Sequence, residues 1–204
     1  NVNKIFGNDS GKTQNLITEM FAGGITKGHF VRVGTGGASP EITLKDTTTG
    51  TAVSVVKITG AYVGSRAFSV SIRDSLTGAG RECIFYEGTA EFAKVSFAAD
   101  GAEPDGLVKA INDNLDDFVA VKLAAGNGTM ATVTQEDMTA GTDPTVATAQ
   151  YSTGLDALYT VAGNCLAVDT DDTAVQTASA GRNEKKESTQ FSETEFSISF
   201  LSGT

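Results

Sequence analysis

The chain has 204 residues, of which 40% are apolar, and it carries a formal net charge of −10. A chain of this length can bury roughly 70% of the surface that it exposes when unfolded, which is enough for one domain or two small ones. With 23 glycines, 3 prolines and no tryptophan, the composition suits a β-rich globular protein and argues against a coiled coil or a disordered tail.

The charge and the hydropathy pattern also limit the partners. Acidic residues number 25 against 15 basic ones, so the summed field repels a phosphate backbone, and we expect no direct contact with nucleic acid. No apolar run is long enough to span a bilayer, and the first 20 residues lack a basic segment followed by an apolar run. We therefore expect neither a membrane partner nor a secretion signal.

The two cysteines predict buried, reduced thiols. Cys83 and Cys165 each lie in an apolar, strand-like context, and their spacing fits neither a zinc site nor a redox pair. The pattern favours a reducing compartment over one where disulfides form.

The first 34 residues predict a helix followed by a strand. The helix runs from Lys12 to Ala22 and ends at Gly23 and Gly24, and the strand covers His29 to Val33. One helix face carries the apolar side chains Leu16, Ile17, Met20 and Phe21.

From Thr35 to about Gly141 the pattern changes to short strands at close spacing, separated by glycine-rich turns. The predicted strands are Glu41 to Leu44, Ala52 to Thr59, Phe68 to Arg73, Glu82 to Tyr86, Ala90 to Phe97, Phe118 to Leu123 and Met130 to Val133. One helix, from Asp105 to Phe118, interrupts them, with an apolar stripe of Leu107, Ile111, Leu115 and Phe118. A break from Thr139 to Pro144 ends the region.

A corner joins two of these strands in the stretch from Thr59 to Ile72. Gly60 and Gly64 bracket the bend, where a residue without Cβ can adopt positive φ. Residues 62 to 66, which include Gly64, read Tyr-Val-Gly-Ser-Arg. A strand of alternating apolar and polar residues follows them.

A second α/β segment follows the break. It has a predicted helix over Gly154 to Tyr159 and a strand, Cys165 to Val168, whose apolar character on both faces favours a covered, central position in a sheet. Beyond Ala178 come a charged run, Arg182 to Glu187, and an alternating segment, Phe191 to Leu201, that predicts an edge strand.

The corner and its surroundings resemble the contractile tail sheath proteins of phages and phage-like particles. The usual corner in that family is Tyr-Pro-Gly-Thr-Arg-Gly-Asn, in which Val63 here replaces Pro, and Ala67 and Phe68 replace Gly-Asn. The strand ending Val-Arg-Val-Gly at Gly34 and the segment Met138 to Val146 are also similar to that family. The resemblance covers about residues 4 to 177.

The resemblance implies an α+β fold in which a β-rich domain, a small barrel or sandwich with one flanking helix, is inserted into an α/β domain. The implied boundaries are residues 1–35 and 143–180 for the α/β domain and 36–142 for the insertion, with 181–204 unplaced. Since family members are much longer, we expect the chain to be a fragment.

The function that the resemblance implies is mechanical. Sheath subunits polymerise around a tail tube and contract to drive the tube through a cell envelope, so the implied partners are other subunits, the tube and the baseplate. The implied location is the virion tail of a bacteriophage or prophage particle, assembled in the host cytoplasm. The alternatives are a β-rich binding or adhesion module and a haloacid-dehalogenase-like phosphotransferase.

Two segments superficially resemble catalytic motifs. Gly7 to Thr13 has only three residues between its glycines where a phosphate-binding loop needs four, so we expect a helix start capped by Ser10 or Asp9. Asp169 and Asp171 follow an apolar strand as the nucleophile and acid/base of a phosphotransferase do. That chemistry also needs a downstream lysine and a further acidic pair, whereas Lys185 and Lys186 here lie in a solvated charged run. A strand-end turn with a helix cap is the simpler interpretation.

Other polar residues suggest no site either. His29 is the only histidine, and no nucleophile elbow accompanies it. Asp113, Asp116 and Asp117 fit the wet face of a helix, and the glycosylation patterns at Asn8 and Asn127 fit turns. We therefore predict no catalytic, cofactor-binding or metal-binding residue, no cofactor and no enzymatic activity.

Overall fold

The computed structural model describes residues 12–24, 27–159, 165–187 and 197–203. The chain forms two compact units, Asn1–Gly36 with Pro144–Thr204, and Gly37–Asp143. We call the first the α/β unit and the second the β unit. The second is inserted into the first, because the chain leaves the α/β unit and later returns to it.

The described elements are four helices and ten strands. In chain order they are α1 (Lys12–Ala22), β1 (Lys27–Val33), β2 (Glu41–Lys45), β3 (Ser54–Gly60), β4 (Phe68–Asp74), β5 (Arg81–Glu87), β6 (Ala90–Phe97), α2 (Glu103–Asn114), β7 (Phe118–Lys122), β8 (Val133–Asp137), α3 (Thr148–Tyr159), β9 (Cys165–Asp169), α4 (Thr173–Glu187) and β10 (Ser197–Gly203).

The α/β unit is built on a parallel sheet of β1, β10 and β9, in that order. Helices α3 and α4 pack on its strands and against each other. The core of this unit consists of Val33, Tyr151, Leu155, Leu158 and Val175.

The C-terminal strand differs from its prediction. We expected an edge strand in an unplaced segment, but β10 lies between β1 and β9, with Leu201 beside Val31 on one side and Val168 on the other. Alternation in a sequence reports which side chains share a face and says nothing about neighbouring strands. Phe191 and Phe196 lie outside the described residues.

The charged run from Arg182, which the sequence analysis left unplaced, forms the last part of α4. The alanines, lysines and glutamates of α4 have good helix propensity, and its threonines, its single serine, its asparagine and Gly181 obscure this in the sequence. The helix predicted from Gly154 begins earlier, at Thr148.

The β unit contains two antiparallel sheets and one helix. One sheet has the order β2-β3-β7 and the other β6-β5-β4-β8. Isolated bridges from Glu41 to Thr139 and from Asp46 to Met130 tie β2 to the segments on either side of β8, so the two sheets adjoin there. Both sheets and α2 share one apolar core, which includes Leu44, Ile58, Ile72, Phe85, Leu107, Ile111 and Phe118.

This architecture confirms the predicted α+β class, with a β-rich part of two sheets and one flanking helix inserted into an α/β part. The predicted bounds of α2 were wrong. The helix begins at Glu103 and ends at Asn114, because Leu115 is extended and Phe118 opens β7 opposite Gly60. The strand expected from Met130 begins instead at Val133.

Candidate functional site

The corner that carries the sheath resemblance is held at its arginine. The Arg66 guanidinium donates to both carboxylate oxygens of Glu87 at 2.8 and 2.9 Å, the two-pronged geometry that guanidinium and carboxylate favour. The same guanidinium lies 4.8 Å from the ring centroid of Phe68 and 5.3 Å from that of Phe92. Arg66 therefore fixes the start of β4 to the end of β5, while Tyr62 remains about half exposed.

The aromatic side chains beneath the corner form one cluster. Phe118 stacks on Phe85 with ring centroids 4.2 Å apart, and Phe68 meets the Phe118 ring edge to face at 5.1 Å. Both geometries are the favoured ones for aromatic pairs. The corner is thus anchored to the centre of the β-unit core.

The next residue of the corner, Ser65, binds the segment through which the chain leaves the β unit. Its backbone N–H and its hydroxyl donate to the two carboxylate oxygens of Asp143, each at 2.9 Å. The Gly64 N–H donates to the Ala38 carbonyl, and Ala38 exchanges two hydrogen bonds with Thr142. We call this set, Ala38, Gly64, Ser65, Thr142 and Asp143, the crossing clamp.

Some glycines near the crossing clamp are needed because another group packs against their Cα, and others because their backbone has a positive φ. Gly64 has a φ of +144°, as predicted, whereas Gly60 is a regular strand residue whose added Cβ would lie 2.9 Å from Pro40. A Cβ on Gly141 would collide with the carbonyl oxygens of Gly64 and Ala38. Residues 62–66 and 138–146, the two segments that each resemble the sheath family, therefore meet in the fold. Their separation along the chain did not reveal this contact.

The motif-like segments of the sequence form no catalytic site among the described residues. Gly7 to Gly11 lie outside them, and α1 begins at Lys12. The Asp172 carboxylate accepts from the Ala174 N–H at 2.9 Å and from the Thr148 hydroxyl at 2.8 Å, so it caps α4 and ties it to α3. The Thr148 hydroxyl is the main cause that lowers the pKa of Asp172.

A cleft of about 540 Å³ lies beyond the carboxyl end of β9, where ligands often bind in α/β proteins. Its lining includes Pro144, Val146, Thr148, Tyr151, Thr170 and Asp172. The one carboxylate of this lining is committed to the helix cap, and the side chain of Asp169 is outside the described set. Among the described residues of its lining, the cleft therefore offers no carboxylate beyond that of the helix cap.

The remaining candidates are dispersed. His29 lies on β1, Asp113 pairs with Lys109 one turn away on α2, and Asp116 is exposed. Across the described ranges, no three His, Cys, Asp or Glu side chains come together as metal ligands do. Cys83 is buried in β5, and burial raises the pKa of its thiol to about 12.

Two buried polar groups escaped the sequence analysis. The Asp46 carboxylate accepts from the N–H groups of Thr48, Val53 and Asn127 and from the Thr48 hydroxyl. The hydroxyl bond is the largest cause that lowers the pKa of Asp46 from 3.8 to about 2, and the three N–H bonds add to it. An Asp followed by Thr-Thr-Thr-Gly at a strand end is a turn pattern that the sequence did offer.

The second group is the ion pair of Arg81 and Glu103, whose side chains are each 5% exposed and whose atoms Nη1 and Oε2 are 2.9 Å apart. Glu103 also accepts the Met130 N–H at 2.6 Å, and Arg81 donates to the Met130 carbonyl and the Thr132 hydroxyl. This pair joins β5, α2 and the segment before β8. Nothing in the spacing of 81 and 103 could have indicated it.

Within the described residues, no helix is long and apolar enough to cross a membrane. No family model and no curated relative matches the sequence. Two solved structures are similar in fold, and both are sheath tail proteins.

A sheath tail protein from Listeria innocua matches 74% of this chain and 31% of its own, with 12% identity and a TM-score of 0.51. One from Desulfitobacterium hafniense matches 79% of this chain and 34% of its own, with 19% identity and a TM-score of 0.49. The chain spans about a third of the length of these two proteins. Over about three quarters of its length, the chain thus has a fold found in part of a sheath tail protein, which confirms the resemblance that its sequence indicates.

Proposed function

We propose that the chain belongs to a structural subunit of a contractile tail sheath. The parent protein polymerises around a tail tube and contracts to drive the tube through a cell envelope. The observation that supports this proposal is the fold likeness to the Listeria innocua sheath tail protein, which extends over both units of the chain.

The proposed action is mechanical and needs no bond cleavage. The same subunits can pack in two lattices, and the extended lattice has the higher free energy. Contraction is the change from the extended lattice to the more stable one. The partners are then other subunits, the tail tube and the baseplate, and the location is the tail of a phage or phage-like particle.

The contacts in the described part of the chain support a structural role. Several charged groups of the described residues serve the fold: Asp172 caps a helix, Asp46 binds three N–H groups, and Arg81 pairs with Glu103. A phosphotransferase would instead need carboxylates directed into a cleft with a cation between them.

Negative-stain electron microscopy of the full-length parent protein tests the proposal. We expect hollow, striated cylinders, because sheath subunits stack as rings. Dispersed particles from a folded parent, shown to be folded by circular dichroism, would contradict the sheath function and favour the rival, a β-rich binding module.

A further inference from the structure

The loop after β7 contains the one Asn-Gly step of the sequence, Asn127 and Gly128. A glycine has no Cβ beside its backbone nitrogen, so that nitrogen can approach and attack the amide carbon of a preceding asparagine. The attack expels ammonia and leaves a cyclic imide, which water opens to a carboxylate. Asn127 is exposed, so water and hydroxide reach it. The loop therefore contains all the reactants of a spontaneous amide loss.

The fold needs glycine at position 128 despite this chemistry. The φ of Gly128 is +84°, and a Cβ there would collide with the Gly101 carbonyl oxygen. The Gly128 carbonyl accepts the Glu103 N–H at 3.0 Å, at the start of α2. A larger residue would remove the reactivity, but it would strain the backbone and displace the segment before α2.

The Asn127 amide is held at both of its ends. Nδ2 donates to the Thr47 hydroxyl at 2.9 Å, and Oδ1 accepts the Thr129 N–H at 3.1 Å. During the attack the amide carbon becomes tetrahedral, so the amide group must leave this planar arrangement with its two hydrogen bonds. Both hydrogen bonds therefore oppose the reaction in the folded chain.

The attacking nitrogen is held as well. The Gly128 N–H donates to the Ala125 carbonyl at 3.3 Å, and it must lose that proton before the nitrogen can attack. The Asn127 N–H donates to the Asp46 carboxylate at 2.8 Å, which fixes the peptide group before the asparagine. The reaction consequently requires a local opening of the loop, in which these bonds break together.

We propose that Asn127 is a modification site, at which the amide is lost through a cyclic imide with Gly128 at a rate set by the opening of the loop that Asp46 and Thr47 hold. The Gly128 nitrogen gives its proton to hydroxide and forms a bond to Asn127 Cγ. As the Cγ–Nδ2 bond breaks, Nδ2 takes a proton from water and leaves as ammonia. Water then adds to either imide carbonyl and leaves aspartate or isoaspartate. The reaction needs nothing but water and does not depend on the proposed sheath function.

Either product should hold the loop less well than asparagine does. The new carboxylate places a second negative charge close to that of Asp46, and the two repel each other. Isoaspartate also lengthens the backbone beside Gly128, which has no free space towards Gly101. The contacts that slow the reaction are thus the ones that its product weakens.

Mass spectrometry of the folded and the unfolded chain tests the proposal. The natural chain is kept at one pH and temperature in buffer alone and in concentrated urea, and the amide loss at residue 127 is followed over time on tryptic peptides. We expect the loss to be at least about tenfold slower in buffer, which corresponds to about 1.4 kcal/mol of protection. Both aspartate and isoaspartate should form in urea, because the imide opens at either carbonyl. Equal rates in the two conditions, or aspartate as the only product, would overturn the proposal.

Variants of the contacting residues test which contacts set the rate. Thr47→Ala removes the acceptor of the Nδ2 bond and should speed the loss in the folded chain about threefold or more. Thr49→Ala, at an exposed position two residues further on, is the matched control and should leave the rate nearly unchanged. Asp46→Asn should have a larger effect than Thr47→Ala, because it weakens N–H bonds from two loops.

Circular dichroism shows whether each variant is folded, and Thr47→Ala decides the outcome where Asp46→Asn is not. An unchanged rate in either folded variant, or an equal acceleration by Thr49→Ala, would contradict the proposal.

Discussion

Single buried polar residues hold loops that the apolar core does not reach. Asp46 lies at the end of β2 with a side chain buried to 1% exposure, and its carboxylate binds backbone N–H groups from two loops, at Val53 and Asn127. An ionised carboxylate with this many donors is stabilised in the folded state and is costly to protonate. The loops on that side of the β unit therefore depend on one charge.

We expect Asp46 to make stability depend on pH in the acid range. Its pKa is about 2 in the folded state against 3.8 ordinarily, so the unfolded chain binds a proton more readily between these values. The stabilisation is fully present above about pH 4 and is lost as the pH falls towards about 2. The variant Asp46→Asn should be less stable near neutral pH and should lose less stability between about pH 6 and about pH 3. Urea unfolding midpoints measure both effects.

Asp116→Asn, at an exposed position after α2, is the matched control for that experiment. It should leave the unfolding midpoint near neutral pH nearly unchanged, because substitutions at exposed positions usually change stability by less than about 0.5 kcal/mol. Identical pH dependence in the natural chain and in Asp46→Asn would show that the Asp46 charge is not what holds these loops.

The Arg81 and Glu103 pair should be sensitive to the loss of one partner only. The single variant Arg81→Met leaves the Glu103 carboxylate buried without its cation, which costs about 3–5 kcal/mol of unfolding free energy. The double variant Arg81→Met, Glu103→Leu removes both charges and should be more stable than that single variant. Urea unfolding of the natural chain, both single variants and the double variant gives the coupling energy of the pair. If the stability losses of the two single variants sum to that of the double variant, the direct interaction is contradicted.

At the scale of elements, α2 completes the β unit by acting on the backbone of a neighbouring strand. Its Leu107 and Ile111 side chains enter the core, and Asn112 satisfies both backbone groups of Ala120. A side-chain amide offers both an N–H donor and a carbonyl acceptor, as a peptide group does, so it can replace a neighbouring strand at one residue. The helix thus covers an edge that would otherwise be open to solvent.

Removing this amide should destabilise the β unit. Asn112→Ala leaves the Ala120 N–H and C=O without their partner, at an expected cost of about 1–3 kcal/mol in unfolding free energy. The matched control is Asn114→Ala on the same helix, because the Asn114 amide donates to the Ala110 carbonyl of its own helix. The control should change stability by no more than about 0.5 kcal/mol. Faster amide hydrogen exchange at Ala120 in the first variant alone is the local readout, and equal effects of the two variants would contradict the role of Asn112.

At the scale of the whole molecule, the two paths between the units are the expected weak points. We predict that the β-rich region is a self-contained domain, since its strands pair locally and the crossing clamp closes its ends. Limited proteolysis should first cut near Gly34 to Ser39 or near Thr139 to Asp143, and Asp143→Ala should speed these cuts by weakening the clamp. First cuts within Ala52 to Phe97 would contradict the boundary.

The sequence predicts the parts of this fold that depend on local patterns. Alternation located β4 and β6, and the glycine pair at 23 and 24 marked the end of α1. The resemblance singled out residues 62–66 and 138–146, which contain four of the five residues of the crossing clamp, but it did not indicate that the two segments touch. Each of these signals lies within a few neighbouring residues.

Features that depend on distant partners were missed. The place of β10 between β1 and β9, the pairing of Arg81 with Glu103 and the bonds from Asn112 to Ala120 are set by three-dimensional packing. No periodicity or spacing encodes them. The end of α2 was predicted too far along the chain for the same reason. The apolar helical pattern continues to Phe118, but that residue pairs with Gly60 as the first residue of β7.

The central place of β10 has a consequence for how the molecule folds. The sheet of the α/β unit joins β1 and β10 from opposite ends of the described chain, so its contact order is high. Most strand pairs of the β unit, in contrast, lie within a short stretch of chain. During synthesis the inserted unit can therefore fold while the ribosome is still elongating the chain, whereas the α/β sheet must wait for its middle strand to emerge.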